Sequence, residues 1–143
     1  FSIERSHVVS ALIKKFVDAK RKKKPSVEVL GTGKAIREFL YVEDAADAIV
    51  KAAKIYNEDM PLNVGTGTET PISELAKTIK EISNYSGQIK WNTAGPDGAL
   101  RKVSDISRIK SKLNWEPKYS LKEGLHKTIR WFEDNYESAI AKE

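Results

Sequence analysis

Residues 27–56, VEVLGTGKAIREFLYVEDAADAIVKAAKIY, decide the fold class. Val27-Glu28-Val29-Leu30 alternates apolar and polar and predicts a short strand, which the Gly31-Thr32-Gly33 turn interrupts. Glu38-Phe39-Leu40-Tyr41-Val42 predicts a second strand. Asp44 then stands as a natural N-cap for a helix carrying Ala45, Ala48, Ile49, Ala52 and Tyr56 on one face. Strand, turn, strand and helix in one stretch point to an α/β arrangement of short strands alternating with helices.

The flanking sequence extends this pattern. Upstream, Val8, Val9, Leu12, Ile13 and Phe16 recur at helical spacing from about Ser6, with Lys14, Lys15 and Asp18 on another face, and the helix stops at Pro25. Downstream, Leu62-Asn63-Val64 reads as a buried strand ending at Gly65 and Gly67. Thr70 is placed to cap a helix with Pro71 at its first position and Ile72, Leu75, Ala76, Ile79 and Ile82 facing inward. Gln88 to Trp91 reads as a strand, Gly95-Pro96-Asp97-Gly98 as a loop, and Ser107 to Leu113 as a short helix ended by Asn114 and Pro117. Ser120 and Glu123 form a capping box ahead of Leu121, Leu125, Ile129, Phe132 and Tyr136.

A chain of 143 residues is read as a single domain, residues 1–143. It has no cysteine, which excludes disulfides, thiolate metal sites and a cysteine nucleophile within this sequence. No His, Asp or Glu cluster has metal-ligand spacing, so no metal is expected. The apolar runs are short and the opening FSIERSH lacks signal-peptide layout, so a soluble, cytoplasmic protein without a membrane partner is expected. Phe1 is no initiator, and the expectation is a chain drawn from within a longer protein.

The formal net charge is +5, and its distribution matters more than its size. Lys14, Lys15, Lys20, Arg21, Lys22, Lys23 and Lys24 face only Asp18 within their segment, leaving the rest close to neutral. No aromatic stacking residues are interleaved with this run, so it reads as a solvated helix end rather than a nucleic-acid site.

The residues alone support little chemistry. Gly31-Thr32-Gly33 and Gly65-Thr66-Gly67 are each only Gly-x-Gly, without the third glycine of a dinucleotide loop, and read as turns. The loop running into Arg101-Lys102 is either a surface loop or a phosphate contact. His126 lies within the last helix and reads as structural or solvent-facing, and His7 opens the first helix.

Arg37 to Asp47, REFLYVEDAAD, resembles the segment that follows the substrate loop in extended short-chain dehydrogenases/reductases of the NAD-dependent epimerase/dehydratase family. Asn63-Val64-Gly65-Thr66-Gly67 followed by a helix is similar to their C-terminal half. SHVVSALIKKF at 6–16, PDGALRKVSDISR at 96–108 and SLKEGLHKTIRWFEDNY at 120–136 resemble the GDP-L-fucose synthases within that family. The resemblance implies an NADP-dependent enzyme that epimerises GDP-4-keto-6-deoxy-D-mannose at both carbons flanking the ketone and then reduces the ketone. It assigns the NADP loop, the Ser, Tyr and Lys that polarise the ketone, and a cysteine to an N-terminal Rossmann half not found in this sequence. The chain is therefore expected to be the C-terminal substrate-binding portion, inactive and without cofactor by itself, and possession of a homodimer is left open for the longer enzyme.

The resemblance also places residues. His7 falls on the histidine that acts as the acid in epimerisation, and Arg37 on the arginine that reaches the diphosphate. Lys15 stands where the family has a substrate-facing arginine, and Leu30 where it has a tryptophan against the nucleotide. Arg101 and Lys102 match the Arg-Lys near the nucleotide. The departures at Lys15 and Leu30 keep open another nucleotide-sugar epimerase or 4,6-dehydratase of the same superfamily. A stand-alone basic nucleotide-binding or interaction module is the alternative from another class.

Overall fold

The computed structural model describes residues 7–94 and 98–141. Among the described residues, five short strands and six helices alternate, as the α/β reading expects. Helix α1 (Val8–Arg21) leads into β1 (Ser26–Leu30), which pairs in parallel with β4 (Gln88–Asn92) over Ser26↔Gln88 to Leu30↔Asn92. Val27 and Val29 turn inward and Glu28 and Leu30 outward, the alternation expected of a strand with one buried face. A second sheet is built from two-residue strands. In it β2 (Ile36–Arg37) lies between β3 (Thr70–Pro71), antiparallel, and β5 (Arg101–Lys102), parallel.

Two apolar clusters hold these elements. The larger joins Leu12, Ile13, Phe16 and Val17 of α1 to Val27 and Val29, to Leu75, Ala76 and Ile79 of α3 (Ile72–Ile82), and to Leu125, Ile129 and Phe132 of α5 (Leu121–Asp134). The smaller joins Ala48 of α2 (Val42–Ile55) to Ile109 and Leu113 of α4 (Ser107–Leu113), with Ile106 and Trp115. A short α6 (Tyr136–Ile140) packs Tyr136 back on the larger core. The lysine run is a helix end engaged by these C-terminal helices: Lys20 pairs with Glu133 at 3.2 Å, and Arg21 lies 3.7 Å over the Tyr136 ring.

Several local expectations are corrected. Residues 38–41 join no ladder; Phe39 packs on the larger core and Leu40 on the smaller, so their apolar character reflects a chain threaded between two cores. Helix α2 starts at Val42, and Asp44 sits inside its first turn, 1 % exposed, where its carboxylate accepts the Lys118 and Tyr119 N–H groups at 3.0 Å each. Leu62 and Val64 fill the smaller core without strand pairing. Thr70 belongs to β3 and not to a cap, because its backbone pairs with Arg37. Lys14 is buried, since α1 is covered both by β1 and by α3. Ile49 is 63 % exposed.

The capping box is present as read: Ser120 Oγ accepts the Glu123 N–H, and the Glu123 carboxylate accepts the Ser120 N–H at 2.8 Å. Hydrogen bonds from the Ser120 hydroxyl and backbone hold the Glu123 carboxyl below the usual range. Ser120→Ala removes the hydroxyl half of the box and is expected to cost about 1 kcal/mol. Thermal unfolding checks this as a fall in Tm of roughly 2–4 °C. A Cβ on Gly124, one residue on, would lie 3.1 Å from the Tyr41 side chain, a tight contact that would require Tyr41 to shift by a few tenths of an ångström.

Candidate functional site

Arg37 and Lys102 are brought together by the small sheet. They are register partners across the parallel β2–β5 pair, and such partners project to the same face. Arg37 is half-buried and anchored through one nitrogen: Nη1 donates to the carbonyls of Ile36 and Ala99, each at 2.7 Å. No carboxylate among the described residues forms an ion pair with Arg37 or Lys102. Like charges side by side on neighbouring strands repel, so this face favours an anion between them.

Arg101 is placed differently. It alternates to the other side of β5, where Nη2 meets Glu69 Oε1 at 2.7 Å and Nε meets it at 2.8 Å. The adjacent Arg101-Lys102 in sequence thus splits into one neutralised cation and one that faces Arg37. The Pro96 and Asp97 portion of the preceding loop lies outside the described residues.

The other sequence candidates do not join this pair. Lys15 Nζ donates to the Glu28 carbonyl on β1 at 3.0 Å, and no hydrogen bond or ion pair among the described residues links it to Arg37 or Lys102. Leu30 closes β1 with 68 % exposure, an aliphatic surface open to contact. His7 immediately precedes α1, exposed; its carbonyl accepts from the Ala11 N–H at 3.0 Å, and its side chain caps no helix N–H.

The sequence reading missed Glu38. Its Oε2 accepts the N–H groups of Thr66 at 3.1 Å and Gly67 at 3.0 Å, and its Oε1 accepts the Ser104 N–H at 2.8 Å. Burial pushes this carboxyl up, but hydrogen bonds from Ser104, Gly67 and Thr66 outweigh it and leave it below the usual carboxylate range. A carboxylate next to the site arginine was visible as Arg37-Glu38; its partners, far along the chain, were not.

The Thr66 and Gly67 N–H groups are taken by Glu38, and Gly33 packs against the Trp91 ring, leaving no space for a Cβ there.

The NAD dependent epimerase/dehydratase family matches residues 1–65. A probable GDP-L-fucose synthase of Oryza sativa subsp. japonica is 43% identical over 97% of this chain and 42% of its own length. Over these stretches the chain is similar to members of the NAD dependent epimerase/dehydratase family. A GDP-L-fucose synthase of Escherichia coli K12 is 37% identical over 94% of this chain and 44% of its own length. A crystal structure of a GDP-L-fucose synthetase from Naegleria fowleri bound to NADP superposes with a TM-score of 0.91 at 28% identity, over 96% of this chain and 43% of that one. The chain thus spans less than half the length of these relatives.

One surface of it is apolar and uncovered among the described residues. Val42, Ala46, Ile49 and Ala53 recur at helical spacing on α2, all exposed, about a third of a turn from the buried Ala48. A helix apolar on two faces is normally covered on both. Among the described residues no helix is long and apolar enough to cross a membrane.

Proposed function

We propose that this chain forms the sugar-nucleotide-binding portion of a GDP-L-fucose synthase-like enzyme. That enzyme would epimerise GDP-4-keto-6-deoxy-D-mannose at both carbons flanking the ketone and reduce the ketone with hydride from NADPH. The observation that carries the reading is the Arg37–Lys102 pair, two cations on one face with no ion-paired acid among the described residues, suited to a diphosphate. The relatives' names support the sugar and the base.

In this reading Arg37 and Lys102 hold the diphosphate, Leu30 borders the nucleoside, and Lys15 supplies a further cation at the rim. His7 is the acid that returns a proton to the carbanion during epimerisation. NADP, and the groups that polarise the ketone, belong to the remainder of a protein as long as the relatives, and the apolar stripe on α2 packs against that remainder. The intact enzyme works in the cytoplasm.

Titrating the intact protein with GDP, UDP and dTDP tests the base, with GDP expected to bind most tightly. NADPH oxidation with GDP-4-keto-6-deoxy-D-mannose tests the reaction, and the 143-residue chain by itself is expected to show none. Preference for UDP or dTDP would instead favour a sister epimerase or 4,6-dehydratase. That second reading has a specific observation behind it: the exposed Leu30 presents no aromatic face for a guanine to stack on.

A further inference from the structure

We propose that Glu38 is the positioning residue of the Arg37–Lys102 pair, acting by clamping both neighbours of the strand that carries Arg37. The inference rests on the reading of that pair as the diphosphate site, and it assigns a task to the Gly65-Thr66-Gly67 turn.

The sheet beneath the pair is minimal. Strand β2 contributes two residues, matched by two on each side. So short a ladder has few hydrogen bonds with which to hold the register that sets Arg37 beside Lys102. Glu38 follows Arg37 directly, and its carboxylate reaches out of the strand in two directions. Through Oε2 it binds Thr66 and Gly67, in the segment that leads into β3 at Thr70. Through Oε1 it binds Ser104, two residues beyond Lys102 on the segment leaving β5. One anion therefore ties all three strands at the end where the cations stand. The bonds are charge-assisted, stronger than the neutral bonds of the ladder.

The turn is shaped to receive it. Two successive N–H groups converge on Oε2, the arrangement by which backbone loops bind anions, here satisfied from within the chain. A Cβ on residue 65 would lie 2.5 Å from Oε2, so the approach requires glycine there. Gly67 has φ +66, in the left-handed region. The Gly-x-Gly spacing thus serves a carboxylate of the same chain and not a cofactor phosphate.

The test uses the intact enzyme and the nucleotide-sugar substrate. Glu38→Gln turns an amide NH2 toward N–H donors and breaks at least one arm of the clamp. The expected result is a KM raised roughly tenfold with kcat changed less than about twofold, the signature of lost binding rather than lost chemistry. In a cycle with Arg37→Ala, the double variant is expected to be less impaired than the two single effects combined, because Glu38 acts through the placement of Arg37 beside Lys102. Below the ordinary carboxylate range the wild type loses affinity as Glu38 protonates, and Glu38→Gln lacks that limb of the pH profile. A lower Tm with unchanged KM would make Glu38 only a staple of the fold and overturn the proposal, as would KM effects that add to those of Arg37→Ala. If Glu38→Gln does not fold, Glu38→Asp, which keeps the charge and shortens the reach, is read by the same criteria. Failure of Arg37→Ala itself to raise KM overturns the diphosphate reading and this inference together. An effect of Arg37→Ala without one of Glu38→Gln overturns this inference alone.

Discussion

Replacing Arg37 by alanine in the intact enzyme raises KM for the nucleotide sugar by roughly 10- to 100-fold, the loss of a charge-assisted contact of about 1.5–3 kcal/mol. The structure explains why the loss should be near the upper end. Nη1 is already fixed by the carbonyls of Ile36 and Ala99, so the guanidinium is held in place before any ligand arrives. Little side-chain entropy is then lost on binding. Arg37 is the register partner of Lys102, and no acid among the described residues forms an ion pair with it. Arg37→Lys keeps the charge but loses both the planar fork and its anchoring, and a rise of several-fold is expected, between wild type and alanine. The effect should fall on KM, since a diphosphate contact is made equally in ground and transition states. Raising ionic strength should weaken wild-type binding more than that of Arg37→Ala. Steady-state kinetics at two salt concentrations measures all of this, and an unchanged KM would sink the diphosphate role.

Lys102 shows why such a site is hard to read from a string of letters. Resemblance groups Arg101 with Lys102, but strand alternation sends them to opposite faces, and only the β2–β5 register reveals which one meets Arg37. What was legible obeys local rules. The Ser120–Glu123 box, the Ser107–Leu113 helix with left-handed Asn114 after it, and the inward face of α3 all depend on residues within a turn or two of one another. What was not legible depends on partners far away. Residues 38–41 have a strand's composition, yet their apolar side chains serve two separate cores and no ladder. Ile49 fits the periodicity of a buried stripe, but α2 carries a second apolar stripe, and spacing alone does not say which one faces the core of this chain. Glu38 looks like an ordinary strand charge until the three N–H groups it holds are known.

Asp44 is the same lesson with the largest consequence for stability, because its chemistry was visible and its partner was not. An Asp before an apolar helix reads as a cap, yet helix α2 begins two residues earlier and the carboxylate turns away from its own helix. Oδ1 takes the Lys118 N–H and Oδ2 the Tyr119 N–H, joining the first turn of α2 to the segment that delivers Ser120 to the start of α5. One turn further along α2, Asp47 accepts the Trp115 Nε1–H at 2.9 Å, so both acids hold residues 115–119 to one helix. Asp44→Ala leaves two N–H groups without acceptors in a partly buried place, at about 1–3 kcal/mol each. It also removes a carboxylate from the positive end of α2, worth roughly 0.3–1 kcal/mol. The expected total is about 3–5 kcal/mol, or a fall in Tm on the order of 10 °C for a chain of this size. Asp44→Asn keeps one acceptor but sets an NH2 against the second donor, so it should lose about half as much. Ser120→Ala, which breaks only the neighbouring cap, should be clearly milder than either. Denaturant unfolding with m unchanged checks the order, and a loss below about 1 kcal/mol for Asp44→Ala would mean that water reaches both N–H groups and that the carboxylate does not tie α2 to α5.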